Sequence, residues 1–173
     1  YAVNSGARVI NASWGGPQCL KALEDSVLSL ADRNVVFVAA AGNDTRNLST
    51  NPQFPAAFAG LSQITVGAST FSGFTAGFSN FGPLVHLVAP GQDIFSTWYN
   101  TETGSTYAWE SGTSMAAPFV SGAAALLISA KPQLKATTIR DALLGAVTKS
   151  FCCTLTEGEL NVSASAKNLG AIP

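Results

Sequence analysis

A serine attacks a carbonyl best where unpaired backbone N–H groups and the positive end of a helix dipole stabilise the charge that develops. The run Ser111-Gly112-Thr113-Ser114-Met115-Ala116-Ala117-Pro118, which opens an alanine-rich segment, places Ser114 in such a setting. Gly112 lets backbone and substrate approach closely, and Ala116, Ala117, Gly122, Ala123, Ala124 and Ala125 let a helix pack tightly beneath the site. The same local chemistry is met by a serine that merely caps a helix. A second candidate is Asn43, which follows the apolar run Val35 to Ala41 (VVFVAAA) and Gly42. An amide held at a strand end donates to an oxyanion, and Asn43-Asp44 also reads as an ordinary loop start. The single histidine, His86, lies in the alternating stretch LVHLVAPG and reads as a strand residue rather than a general base.

The elements that position these residues alternate between strand and helix. Arg8 to Ser13 forms a β-branched run closed by Gly15-Gly16-Pro17, and Gln18 to Arg33 has helical spacing of Leu20, Leu23, Val27, Leu28 and Leu30. Val35 to Ala41 is apolar throughout, as a parallel strand covered on both faces is. Gly42 to Gly60 is polar loop, Leu61 to Ala68 and Leu84 to Ala89 are short strands, and Asp93 to Thr97 is a further strand candidate. Trp98 to Thr106 reads as a polar connection. The alanine-rich helix follows, Leu134 to Val147 repeats the helical pattern, and periodicity fades from Ser150 onward. This order predicts an α/β fold with a mainly parallel sheet, without internal repeat, linker or second domain.

Composition narrows the function. With 173 residues, 47% of them hydrophobic, the chain can bury one sizeable core. Only 11% are charged and the net charge is -1, which argues against a nucleic-acid or membrane-surface partner. Met115 to Ala130 is interrupted by Pro118, Ser121 and Gly122 and reads as a buried helix rather than a membrane span. Cys19, Cys152 and Cys153 define neither a disulfide framework nor a metal-ligand spacing. Asn-x-Ser/Thr sequons begin at Asn11, Asn43, Asn47 and Asn161. The first residues carry neither an initiator Met nor a signal-peptide pattern, so the expectation is that further chain precedes Tyr1.

Three segments, in order, resemble the subtilisin-like serine protease family, peptidase S8. GTSMAAPFVSGAAALL is similar to its nucleophile signature, VVFVAAAGND to its oxyanion segment, and VINASWGG (Val9 to Gly16) to its substrate-pairing strand. FSNFG (Phe78 to Gly82) and VAPG (Val88 to Gly91) agree as well. The resemblance covers roughly residues 1–147. It implies a three-layer subtilisin-like fold, incomplete in this chain, with residues 1–173 forming the C-terminal portion of one peptidase domain. It also implies a serine endopeptidase acting through an acyl-enzyme at Ser114, with Asn43 as oxyanion donor. Ser13, Trp14 and Gly15 would pair with an extended polypeptide substrate, and Ala40, Ala41 and Gly42 would line the pocket for the residue preceding the scissile bond. Trp14 stands where leucine is common and reads as a core aromatic or a pocket wall.

In the family the triad Asp and His lie upstream of the substrate strand, in the order Asp, His, Ser. That region is absent here, so the chain alone is expected to be inactive, and a catalytically dead, peptide-binding pseudoprotease is the alternative. The missing N-terminal part of the same domain is the implied partner. Where relatives carry an Asp near a cation site this sequence has His86, and Phe119 replaces the histidine that usually follows the signature proline. The chemistry requires no cofactor; structural calcium is compatible with the family, but this segment does not support a site. The resemblance places the protein in an extracellular or secretory/vesicular compartment.

Overall fold

The computed structural model describes residues 1–102, 104–150 and 153–172. Strands β1 (Val9–Ala12), β2 (Val36–Ala40), β3 (Gln63–Ser69) and β4 (Leu87–Pro90) pair in sequence order and in parallel. After the antiparallel hairpin β5 (Ile94–Asn100) and β6 (Gly104–Glu110), two short strands, β7 (Thr148–Lys149) and β8 (Gly158–Glu159), extend the main sheet. The main sheet runs β1-β2-β3-β4-β8-β7, with β8 parallel to β4 and antiparallel to β7.

Strand β2 shows why the sheet has two covered faces. Its side chains alternate, so Val36, Val38 and Ala40 enter one core while Phe37 and Ala39, flanked by Val35 and Ala41, enter another. The first core is closed by α2 (Thr113–Ala130) and α3 (Ala136–Leu144), through Ala117, Val120, Leu127, Ile139 and Leu143. The second is closed by Val27 of α1 (Lys21–Leu28) with Leu30, Leu48 and Phe58. Helix, sheet and helix thus form three layers. By length and composition α2 could cross a membrane. Its sheet-facing residues are instead buried in the core, and its small side chains allow the close approach that the sequence predicts.

Several elements differ from expectation. The first helix spans Lys21–Leu28 rather than Gln18 to Arg33. Its end unravels because Ser26 and Ser29 turn their hydroxyls back onto the carbonyls of Ala22 and Ser26, and Asn34 takes a φ of 57° to redirect the chain into β2. The second pattern, Leu134 to Val147, yields a helix over Ala136–Leu144, whose first N–H donates to Asn34 Oδ1 at 2.6 Å in place of a local cap. Within Trp98 to Thr106, expected as a polar connection, Trp98 to Asn100 and Gly104 to Thr106 instead pair as the ends of the two hairpin strands. Phe95 faces Trp109 there, and Phe95 also stacks on Tyr107 with ring centroids 5.5 Å apart. Beyond residue 150, Asn161 caps a fourth helix, α4 (Val162–Asn168), by accepting from Ala164 N–H at 2.8 Å. Cys152 lies outside the described residues, whereas Cys19 and Cys153 are exposed free thiols.

His86 sits at the start of β4, at the opposite end of that strand from Gly91 and the beginning of α2. Its Nδ1 accepts from the Thr65 N–H at 2.8 Å, and its backbone N–H donates to Thr65 O at 2.8 Å. Burial, reinforced by the Arg140 guanidinium, lowers its pKa from 6.5 to about 4. The folded state therefore holds a neutral imidazole, and the unfolded chain takes up a proton first as the pH falls. This contribution is fully present above pH 6.5 and declines as the pH falls toward 4, by on the order of 2–3 kcal/mol. Urea unfolding should show a steeper loss of stability between about pH 7 and 4.5 in the parent protein than in His86→Asn, whose Oδ1 can accept the same bond. Parallel losses in the two proteins would refute this assignment.

Candidate active site

The carboxyl ends of β1 to β4 lie along one edge of the sheet, where ligands collect in open parallel sheets. The start of α2 is docked there by Gly91, whose carbonyl accepts the Gly112 N–H at 2.7 Å. A Cβ at Gly91 would come within 2.6 Å of the Ala68 Cβ and 2.9 Å of Gly112 O, so only glycine permits this docking.

Ser114 is the second residue of α2, and Gly112 occupies the cap position, so the capping reading of Ser114 does not hold. At that position its N–H has no acceptor within the helix. Its Oγ donates to Ser13 O at 3.2 Å. The reciprocal contact has a specific origin. Pro118 lacks the N–H that would bond the Ser114 carbonyl, and the Ser13 hydroxyl fills the vacancy at 2.8 Å. Asn11 orients that hydroxyl, donating to Ser13 Oγ at 2.8 Å while its own Oδ1 accepts from Ser121 Oγ at 2.8 Å.

Asn43 is locked by the helix start. Its Oδ1 accepts from the Thr113 N–H at 2.9 Å and from the Thr113 hydroxyl at 3.0 Å, which fixes the orientation of the amide. The Thr113 hydroxyl in turn accepts from the Gly42 N–H at 3.0 Å. Gly42 has a φ of 100°, and a Cβ there would meet Asn80 Nδ2 at 2.5 Å. Fully buried Asn80 holds the whole loop: its Nδ2 donates to Ala41 O, and its Oδ1 accepts from the N–H groups of Asp44 and Arg46.

A cleft of about 260 Å³ joins these groups. It is lined by Ser114, Asn43, Trp14, Gly15, Ala40, Gly42 and Gln53, among others. Trp14, 54% exposed, forms a cleft wall and is not a core aromatic. Ala41 is buried in the second core and reaches the site only through its carbonyl bond to Asn80. Ser13 points its hydroxyl at α2. The Gly16–Phe54 bridge, with N–H to O distances of 2.9 and 2.8 Å, joins the segments that carry Gly15 and Gln53. A larger hollow of about 520 Å³ lies between β5 and α2, walled by Phe95, Trp98, Met115 and Phe119.

The arrangement brings together a serine hydroxyl, an oriented amide donor and a side-chain cleft. Among the described residues no imidazole or carboxylate hydrogen-bonds Ser114 Oγ, and no group of three or more His, Cys, Asp or Glu gathers as a metal site. Thr113, Asn80, Asp44 and Gln53 were not singled out from the sequence. The Thr of GTSMA and the Asn of FSNFG were in view as motif letters, but their partners lie about 70 and 36 positions away.

Comparison with known proteins follows the same segments. The model of the subtilase family, peptidase S8, matches residues 1–165. Subtilisin DY of Bacillus licheniformis is 38% identical over 171 residues, covering 96% of this chain and 60% of its own length. An extracellular serine proteinase of a Thermus species is 41% identical over 136 residues, 79% of this chain and 32% of its own. Among solved structures, a protease from Pseudoalteromonas arctica superposes with a TM-score of 0.85 at 28% identity, covering 96% of this chain and 52% of that one. The chain thus spans between about a third and three fifths of these relatives' lengths.

Proposed function

The chain belongs to the subtilase family, a family of serine proteases, and from that footing we propose that it carries the nucleophile and oxyanion side of an endopeptidase site. The observation that carries the reading is the Asn43 amide, oriented by Thr113 and lining the same cleft as Ser114. An extended polypeptide lies along Ser13 to Gly15 by main-chain hydrogen bonding. Ser114 Oγ bonds to the scissile carbonyl carbon while its proton passes to a histidine, held by an aspartate, from a part of the protein upstream of this chain. The oxyanion is met by Asn43 Nδ2 and the Ser114 N–H at the positive end of α2. The C–N bond then breaks, the leaving amine takes the histidine's proton, and water hydrolyses the ester to regenerate Ser114.

Two features support a complementary upstream part. The outer edge of β1 is unpaired within the described residues, and α2 exposes Phe119 and Leu126, 45% and 58% accessible, on the side away from the sheet. No cofactor enters this chemistry, and the extracellular Thermus relative fits a secreted enzyme.

A fluorophosphonate probe tests the proposal, because it phosphonylates only a serine with an active base. The complete protein should be labelled on the Ser114 peptide, and the 173-residue chain alone should not. A complete protein that stays unlabelled yet binds extended peptides would be a pseudoprotease.

A further inference from the structure

We propose that Asn80 is a positioning residue for the reaction: fully buried and outside the cleft lining, it sets where the Asn43 amide stands relative to Ser114. The inference rests on the reading of Ser114 as nucleophile and Asn43 as oxyanion donor.

Four hydrogen bonds join Asn80 to the loop that follows β2. Its Nδ2 donates to Ala41 O and its backbone N–H to Gly42 O, each at 2.9 Å. Its Oδ1 accepts from the N–H groups of Asp44 and Arg46 at 3.1 and 2.9 Å. These bonds fall on both sides of Asn43 and skip it, so the chain is held before and after the residue that carries the donor. Thr113 binds Asn43 Oδ1 and fixes the rotation of the amide, whereas the place of the Asn43 Cα depends on the backbone that Asn80 holds.

Asn80 is itself referenced to the sheet. Ser79 Oγ donates to Asn80 O at 2.9 Å and accepts from the Ala68 N–H of β3 at 3.0 Å. The start of α2 reaches the next residue of the same strand, because the Gly112 N–H donates to Gly91 O and the Gly91 N–H donates to Ser69 O at 3.0 Å. Neighbouring residues of β3 thus hold the donor loop and the nucleophile helix in register. The chemistry at position 80 is specific to a short carboxamide. An aspartate would accept from Asp44 and Arg46 but set a buried charge against Ala41 O, and a leucine would leave two N–H groups and a carbonyl unpaired. A donor displaced by about 1 Å forfeits on the order of 10²-fold in rate, so a loop that relaxes by part of that distance has a measurable effect.

The test is a double-mutant cycle in the complete protein, with kcat and KM for a peptide anilide measured for the parent, Asn80→Ala, Asn43→Ala and the pair. Asn80→Ala should lower kcat by about 10-fold and leave KM within about threefold. In the Asn43→Ala background the same change should lower kcat by less than about threefold, because the group it positions is gone. A residue that only stabilises the fold would lower activity equally in both backgrounds. Urea unfolding establishes that each variant is folded under assay conditions, and Asn80→Ser, which keeps a hydroxyl, replaces Asn80→Ala in the cycle if that variant does not fold. An unchanged kcat, a rise in KM alone, or an equal loss with and without Asn43 overturns the proposal. A parent protein without turnover, or an Asn43→Ala variant that keeps the parent's kcat, is instead a failure of the underlying reading, and the assignment of Asn80 falls with it.

Discussion

If Ser114 is the nucleophile we propose, replacing it by alanine in the complete protein should lower kcat/KM for peptide hydrolysis by at least about 10³-fold, because a triad without its nucleophile collapses as a unit. The size of the effect follows from what Ser114 does not do. Its Oγ makes one long bond, 3.2 Å to Ser13 O, while the anchoring of α2 to β1 runs through the Ser114 carbonyl, which alanine retains. Stability should therefore change by less than about 1 kcal/mol, within the range of a surface substitution. Parent and variant would be compared by steady-state hydrolysis and by urea unfolding. Turnover within about tenfold of the parent, with the fold intact, removes Ser114 from the chemistry.

Asn43→Ala is expected to lower kcat by about 10²–10³, the magnitude known for the corresponding donor in subtilisin itself, with KM nearly unchanged. The split between the two constants is the informative part. A donor aimed at charge that exists only in the transition state gives little to ground-state binding, so its loss appears in kcat. The geometry sharpens this expectation. Thr113 holds Asn43 Oδ1 with both its N–H and its hydroxyl, so the amide has one orientation and Nδ2 needs no rearrangement to meet the oxyanion. A variant whose KM rises while kcat holds would make Asn43 a substrate-binding residue instead.

The parts legible in the sequence were those whose signal is local. Strand β2 could be read because Val35 to Ala41 has no polar side, which only a strand covered on both faces requires. The start of α2 was legible from Gly112 and the alanines that follow. The hairpin was missed because both of its faces are accessible: Tyr99, Tyr107 and Trp109 on one are more than 60% exposed, Trp98 on the other is 44% exposed, and Ser and Thr between them resemble a linker. Helix α4 was missed because a seven-residue element carries too little periodicity, although Asn161 marked its start. Ser114, Asn43, Trp14 and Gly42, which the motifs singled out, line one cleft. What holds them was hidden for a different reason. Asn80 acts on a loop 34 to 39 positions earlier in the chain, and Thr113 meets Asn43 only after β2 and α2 have packed on the same sheet.

The missing N–H of Pro118 acts as a mechanical joint. By leaving the Ser114 carbonyl to the Ser13 hydroxyl, it joins the chain just after β1 to the first turn of α2. The segment proposed to receive a peptide and the serine proposed to attack it are thus tied by two reciprocal bonds, Ser13 Oγ to Ser114 O and Ser114 Oγ to Ser13 O.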